Sequence, residues 1–141
     1  MTSPADLAAT EAELRRVLDE VAFTRAYGFR LHAIAPGQCT LDVPFQPLFE
    51  RPGGIVGGQV FMAAADVAMW LAIMTRRGAD DGSGASNMTS AFPDAARHEP
   101  FRCPARVGKL GRRLVYGGAA RGSGGGRRAT HHPPTCGRRA R

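Results

Sequence analysis

The segment GGQVFMAAADVAMWLAIMTRRG, Gly57 to Gly78, decides the fold. Laid on a helix, Val60, Phe61, Met62, Val67, Met69, Trp70, Leu71, Ile73 and Met74 leave no wet stripe, so the helix must be covered on all sides. Gly57-Gly58 opens it, and Gly78, with Arg76 and Arg77 in the last turn, closes it. The apolar stretch from Val60 to Met74 is 15 residues and is interrupted by Asp66. Spanning a bilayer takes about 20 apolar residues, so the segment reads as a core helix and no membrane partner is expected. A curved antiparallel sheet wrapped around the helix covers it with few strands, which makes the expected class α+β.

Two features of this helix carry chemistry. Asp66 sits mid-helix among apolar neighbours, where desolvation disfavours its charge, so it needs a partner or an opening such as a subunit interface or a ligand tunnel. The structural alternative is an aspartate satisfied by a hydroxyl or an arginine in a dimer interface. Gly57 and Gly58 stand where unpaired N–H groups at a helix start suit an anion or a polarised carbonyl oxygen. Their structural alternative is a tight turn that allows close packing.

Upstream, Ser3 is read as an N-cap and Pro4 as the first residue of a helix carrying Leu7, Leu14, Val17, Leu18 and Val21, which Gly28 ends. The period then changes. Phe29, Leu31 and Ala33 alternate with Arg30 and His32, Pro36-Gly37 turns the chain, and Cys39, Leu41, Val43 and Phe45 alternate in the same way. This predicts a strand hairpin. Residues 47–54 read as a loop. Downstream, Ala79 to Gly84 is a polar loop, and Ser86 to Phe92 a weakly patterned strand. Phe101, Cys103, Ala105 and Val107 mark a clear strand. Gly111-Arg112 turns the chain, and Leu114 to Tyr116 starts a strand that does not continue.

After Gly117 the composition changes abruptly. Residues 117–141 hold seven glycines and no Leu, Ile, Val, Phe, Tyr, Trp or Met, so disorder is expected. The formal net charge of +7 belongs here: the segment has six arginines and no acid, leaving 13 Lys and Arg against 12 Asp and Glu in 1–116. A basic face for nucleic acid belongs on a folded body, so no nucleic-acid partner is expected, although RGSGGGRR has the look of an RNA-binding tail. With 18 Arg and one Lys the chain fits a GC-rich gene, and we read the break near Gly117 as a shifted frame.

Cys39, Cys103 and Cys136 are odd in number and far apart, which suggests neither a disulfide framework nor zinc. His131, His132 and Cys136 lack a fourth ligand, so no metal is expected. The first 16 residues have no basic stretch followed by an apolar one, so no signal peptide is expected, and a cytoplasmic setting is.

Gly28-Phe29, the hairpin at Pro36-Gly37, RPGGIVGGQVFMAAAD (Arg51 to Asp66) and KLGRRLVYG (Lys109 to Gly117) together resemble the PaaI-like group of hotdog-fold acyl-CoA thioesterases, over roughly residues 20–117. The resemblance implies hydrolysis of an acyl-CoA thioester, no cofactor, and a homodimer or homotetramer with its sites between subunits. It makes Asp66 the nucleophile or the general base for water, and the Gly58 N–H the group that polarises the carbonyl. Gly57 and Gly54 become substrate-binding positions. Gly57 stands where better-studied members have a histidine, Arg51 where they have an asparagine, and the Ser or Thr of the next strand falls near Ala85 or Ser86. Arg112 and Arg113 suit CoA phosphates. The expected organisation is an N-terminal helix (1–28), a hotdog domain (29–116) and a disordered basic tail (117–141), with the last strand or strands missing or replaced. A non-catalytic acyl-binding or scaffold hotdog protein is the alternative of a different class, and an RNA-associated protein acting through the tail is another.

Overall fold

The first helix owes its start to Thr10. Its side chain accepts from the Glu13 N–H at 3.2 Å while the Glu13 carboxylate accepts from the Thr10 N–H at 2.8 Å, a reciprocal capping box. In the computed structural model, which describes residues 6–82, 84–88, 99–111, 114–119, 122–123 and 135–139, α1 therefore spans Glu11–Glu20. The start expected at Ser3-Pro4 lies outside the described residues, and Leu7 precedes the helix. One helix was expected as far as Gly28, but the chain breaks at Val21, and α2 (Ala22–Tyr27) follows. The buried Thr24 hydroxyl stabilises the break, lying 2.7 Å from the Leu18 carbonyl and 2.9 Å from that of Val21. Gly28, at φ +74°, caps α2.

β1 (Arg30–Ala35) and β2 (Gln38–Val43) form the expected hairpin at Pro36-Gly37. Cys39, Leu41 and Val43 point inward as their alternation predicts. A bulge between Leu31 and Ala33 shifts the register of β1, so Ala33 is exposed instead of continuing the inward face. The expected loop 47–54 is ordered into a 3₁₀ turn (Pro47–Phe49), followed by a two-stranded ribbon of β3 (Glu50–Arg51) and β4 (Ile55–Val56).

α3 spans Gly58–Arg77 with Gly57 as N-cap and Gly78 as C-cap. At 20 residues it is long and apolar enough, by length and composition, to cross a bilayer, yet ten of those residues are buried within the domain. Its neighbours are β2 and β6, then β7 and β1. α3, expected to be covered on every side, is covered mainly along its C-terminal half. There the Ala8 N–H donates to the Thr75 carbonyl at 2.7 Å and Trp70 Nε1 donates to the Asp81 carbonyl at 3.2 Å. Those bonds bring the N-terminal segment and the loop after Gly78 over the helix. The N-terminal half keeps a partly open stripe.

The remaining strands are β5 (Gly84–Met88), β6 (Phe101–Leu110), β7 (Leu114–Ala119), β8 (Gly122–Ser123) and β9 (Thr135–Arg139). The strand expected over 86–92 thus starts earlier, and residues 89–92 lie outside the described ones. The sheet runs β1-β2-β6-β7-β9-β5 with β8 beside the start of β6, and every pairing is antiparallel. Of residues 117–141, expected to be disordered, those described lie on strands. β7 runs on to Ala119, and β9 pairs with β7 on one side and β5 on the other. Apolar side chains are not what holds this segment. A strand between two neighbours is held by main-chain hydrogen bonds on both edges, which TCGRR supplies as well as any sequence.

Candidate active site

The approach to α3 is anchored by aromatic packing. Tyr27 stacks on the buried Phe49 with ring centroids 5.3 Å apart and leans on Phe29 at 5.2 Å. This fixes the 3₁₀ turn. The β3–β4 ribbon then reverses through Pro52-Gly53-Gly54, where Gly53 and Gly54 take φ +99° and +71°. Gly54 therefore serves the ribbon tip. Arg51 is exposed on β3.

At the ribbon's end the Gly57 N–H donates to the Phe49 carbonyl at 2.8 Å, and the Gly57 carbonyl accepts from the Val60 N–H at 3.1 Å. Gly57 is buried, and no side chain caps the helix. Of the four amides that a helix start exposes, two are thus engaged. Those of Gly58 and Gln59 have no acceptor among the described residues. Of the two glycines, Gly57 spends its N–H on Phe49, while that of Gly58, expected to polarise a carbonyl, keeps its donor available among the described residues.

Asp66, expected mid-helix among apolar neighbours with a partner or an opening, is half-buried. It lies on the open stripe of α3 with Gln59, Met62, Ala63 and Trp70, and Met62 is 42% exposed. Gln59 and Asp66 are seven residues apart, two turns along one helical face. Gly58 and Asp66 are eight apart, about 12 Å along the axis at about 1.5 Å per residue. No single carbonyl touches both within one chain. Arg112 and Arg113 lie outside the described residues. Ala85 and Ser86 fall on β5, the strand expected to offer a hydroxyl.

Other reactive groups are held away from this stripe. Cys39 and Cys103 are buried on adjacent strands, and burial pushes both thiols up to about 12, so they stay neutral and unreactive near pH 7. On the outer face of the sheet, Arg102 Nε donates to Asp42 Oδ1 at 3.0 Å and His32 Nδ1 lies 3.3 Å from Asp42 Oδ2. All three side chains are about two-fifths exposed, so this cluster is a solvated cross-strand pairing of modest strength. Among the described residues no three His, Cys, Asp or Glu gather to hold a metal.

Sequence reasoning missed Gln59. A Cβ placed on Gly57 would collide with Gln59 Oε1 and lie 2.6 Å from Nε2 and 2.8 Å from Cδ. The carboxamide therefore folds back over Gly57 and fills the space a side chain there would take. The seven-residue spacing to Asp66 was the available signal; the fold-back was not.

No protein-family model matches the sequence, and no curated protein matches it. Solved structures do. A proposed thioesterase from Silicibacter sp. TM1040 is 24% identical with a TM-score of 0.79, over 99% of this chain and 96% of that one. Zebrafish thioesterase superfamily member 2 is 21% identical with a TM-score of 0.71, over 92% of each chain. The E. coli PaaI protein of the phenylacetic acid degradation operon is 13% identical with a TM-score of 0.73, over 92% of this chain and 88% of that one. At these identities what is shared is the fold, and with its antiparallel sheet and long central helix the chain is a hotdog-fold protein, built like the PaaI-type and thioesterase-superfamily structures.

Proposed function

We propose that the protein hydrolyses acyl-CoA thioesters as a homodimer or a larger homo-oligomer, each site drawing on two subunits. The observation that carries this is the open stripe of α3, which holds a helix start whose Gly58 N–H has no acceptor among the described residues and a carboxylate at Asp66 about 12 Å further along. Two α3 helices packed antiparallel, with their two-fold axis near Met62 and Ala63, bring Gly58 of one copy to the partner's Asp66. The exposed Met62 and the free outer edge of β5 among the described residues both favour association.

In this reading the Gly58 N–H donates to the thioester carbonyl oxygen. The partner's Asp66 takes a proton from water as the water oxygen attacks the carbonyl carbon. The tetrahedral oxyanion stays on the Gly58 N–H and then re-forms the C=O bond. The C–S bond breaks, the proton on Asp66 passes to the departing thiolate, and a carboxylic acid and free CoA result. The step needs no cofactor. The partner is thus a small acyl thioester, in a reducing cytoplasm suited to Cys39 and Cys103, and neither nucleic acid nor a membrane is required.

Release of free CoA from a panel of acyl-CoA substrates tests the proposal. Asp66→Asn should reduce the rate by 100-fold or more, and equal rates for the two proteins remove Asp66 from the chemistry. A second reading, binding of acyl-CoA without turnover, is favoured by the absence of a polar side chain at Gly57. Saturable acyl-CoA binding by a protein that releases no CoA identifies it.

A further inference from the structure

We infer that Gln59 is a positioning residue of the thioester site, its carboxamide holding the attacking water against the partner's Asp66. The inference rests on the two-subunit reading above and adds to it a residue that the glycine-turn and aspartate pattern does not contain. Three observations lead to it.

First, the Gln59 carboxamide is packed over Gly57, so the polar group at the helix start comes from position 59. Only because residue 57 lacks a side chain does it fit there. Second, Gln59 and Asp66 lie on the same stripe of α3, equidistant from the point between Met62 and Ala63. Any two-fold axis through that point that pairs the helices antiparallel sets Gln59 of one copy opposite the partner's Asp66. Third, the chemistry matches the place. A carboxamide offers an acceptor at Oε1 and donors at Nε2, so it can accept a hydrogen bond from one O–H of a water and donate one to the carboxylate that takes the water's other proton. Gln59 stays neutral throughout, and Asp66 alone takes up the proton.

The test uses the full chain and three variants. Gln59→Ala should lower kcat by 10- to 100-fold with KM changed less than threefold. Gly57→Ala, whose φ of −62° suits alanine, should expel the carboxamide and lose activity to a similar extent. The double variant should lose no more than either single one. Gln59→Glu keeps the size of the side chain but removes the Nε2 donor, so it should lower kcat as Gln59→Ala does, whereas a purely structural role would tolerate it. Co-expressing Gln59→Ala with Asp66→Asn should then restore about a quarter of wild-type activity, because half of randomly paired dimers carry one intact site.

Unchanged kcat in Gln59→Ala overturns the inference while leaving Asp66 in place. Absence of restoration in the mixed dimers overturns the arrangement across subunits. Absence of hydrolysis and of acyl-CoA binding by the wild-type protein overturns the proposed function, and this inference falls with it.

Discussion

The Gly37 N–H donates to Thr75 Oγ1 at 2.8 Å, joining the tip of the β1–β2 hairpin to the last turn of the central helix. Thr75 is fully buried and its hydroxyl donates in turn to the Ala72 carbonyl at 2.5 Å. The Gly37 carbonyl accepts from the Val107 N–H at 2.8 Å, so one turn ties β1, β2, β6 and α3 together. Thr75→Val keeps the shape of the side chain but leaves the buried Gly37 N–H without its acceptor. The expected loss is about 1–3 kcal/mol, and Thr75→Ser should recover most of it. Urea unfolding checks this, and a valine variant as stable as wild type refutes the role assigned to the bond.

Gly28 joins α2 to β1 at φ +74°, and a Cβ there would lie 3.0 Å from Pro44 Cγ and 3.1 Å from Gln46 Nε2. Gln46 Nε2 donates to the Ala26 carbonyl at 3.0 Å, so a methyl group at 28 strains the backbone and crowds this bond together. Gly28→Ala should cost about 1–2 kcal/mol. Thermal unfolding measures it. Gly53→Ala is the control: its φ is also positive but nothing lies within 4 Å, so its loss should be the smaller one.

These elements show what a sequence discloses. α3 and the hairpin were legible because their apolar spacings, near 3.6 and 2, are imposed by the core they face. Thr10 and Glu13 spell out a capping box, but the apolar spacing that runs from Leu7 to Val21 passes over it. That Asp66 needs a partner or an opening was legible from its apolar neighbours, but which half of α3 lies open was not. It depends on Ala8 and Trp70 fastening other segments over only one end of α3, and no spacing within the helix reports that. β9 was hidden for a different reason. TCGRR has no apolar alternation, and its place is set by pairing with strands far away in the sequence.

The last point can be tested directly. Gly137 lies within β9, opposite Tyr116 on β7 and Asn87 on β5. A proline there removes a ladder N–H and clashes with a strand flanked on both sides. Gly137→Pro should cost about 3 kcal/mol and loosen β5, seen as faster amide exchange at 84–88. A disordered segment would tolerate the same change with no effect on stability or exchange.

The two buried thiols predict a pH dependence. Cys39 and Cys103 are raised from 9.0 in the unfolded chain to about 12 in the fold. Between these values the unfolded chain has released protons that the folded one retains, so ionisation favours unfolding. Their contribution is intact below about pH 9 and declines as pH rises from there toward about 12. In a Cys136→Ser background, a thiol reagent at pH 8 should label neither cysteine until denaturant is added. Rapid labelling of the native protein contradicts their burial.

Met62 puts the proposed association at risk most sharply. Its side chain is 42% exposed at the midpoint between Gln59 and Asp66, where a two-fold axis between antiparallel helices would bring it against its own copy. Met62→Glu leaves the core untouched, since the position faces outward, and helix propensity hardly changes. In an assembled pair it sets two carboxylates against each other on an apolar surface, where like charges and desolvation act together. The variant should therefore unfold at nearly the wild-type temperature, sediment as a smaller species, and release little CoA. Met62→Leu should keep both assembly and turnover. If Met62→Glu instead stays assembled and active, the helices do not meet at this stripe, and Asp66 must find its carbonyl within a different pairing of subunits.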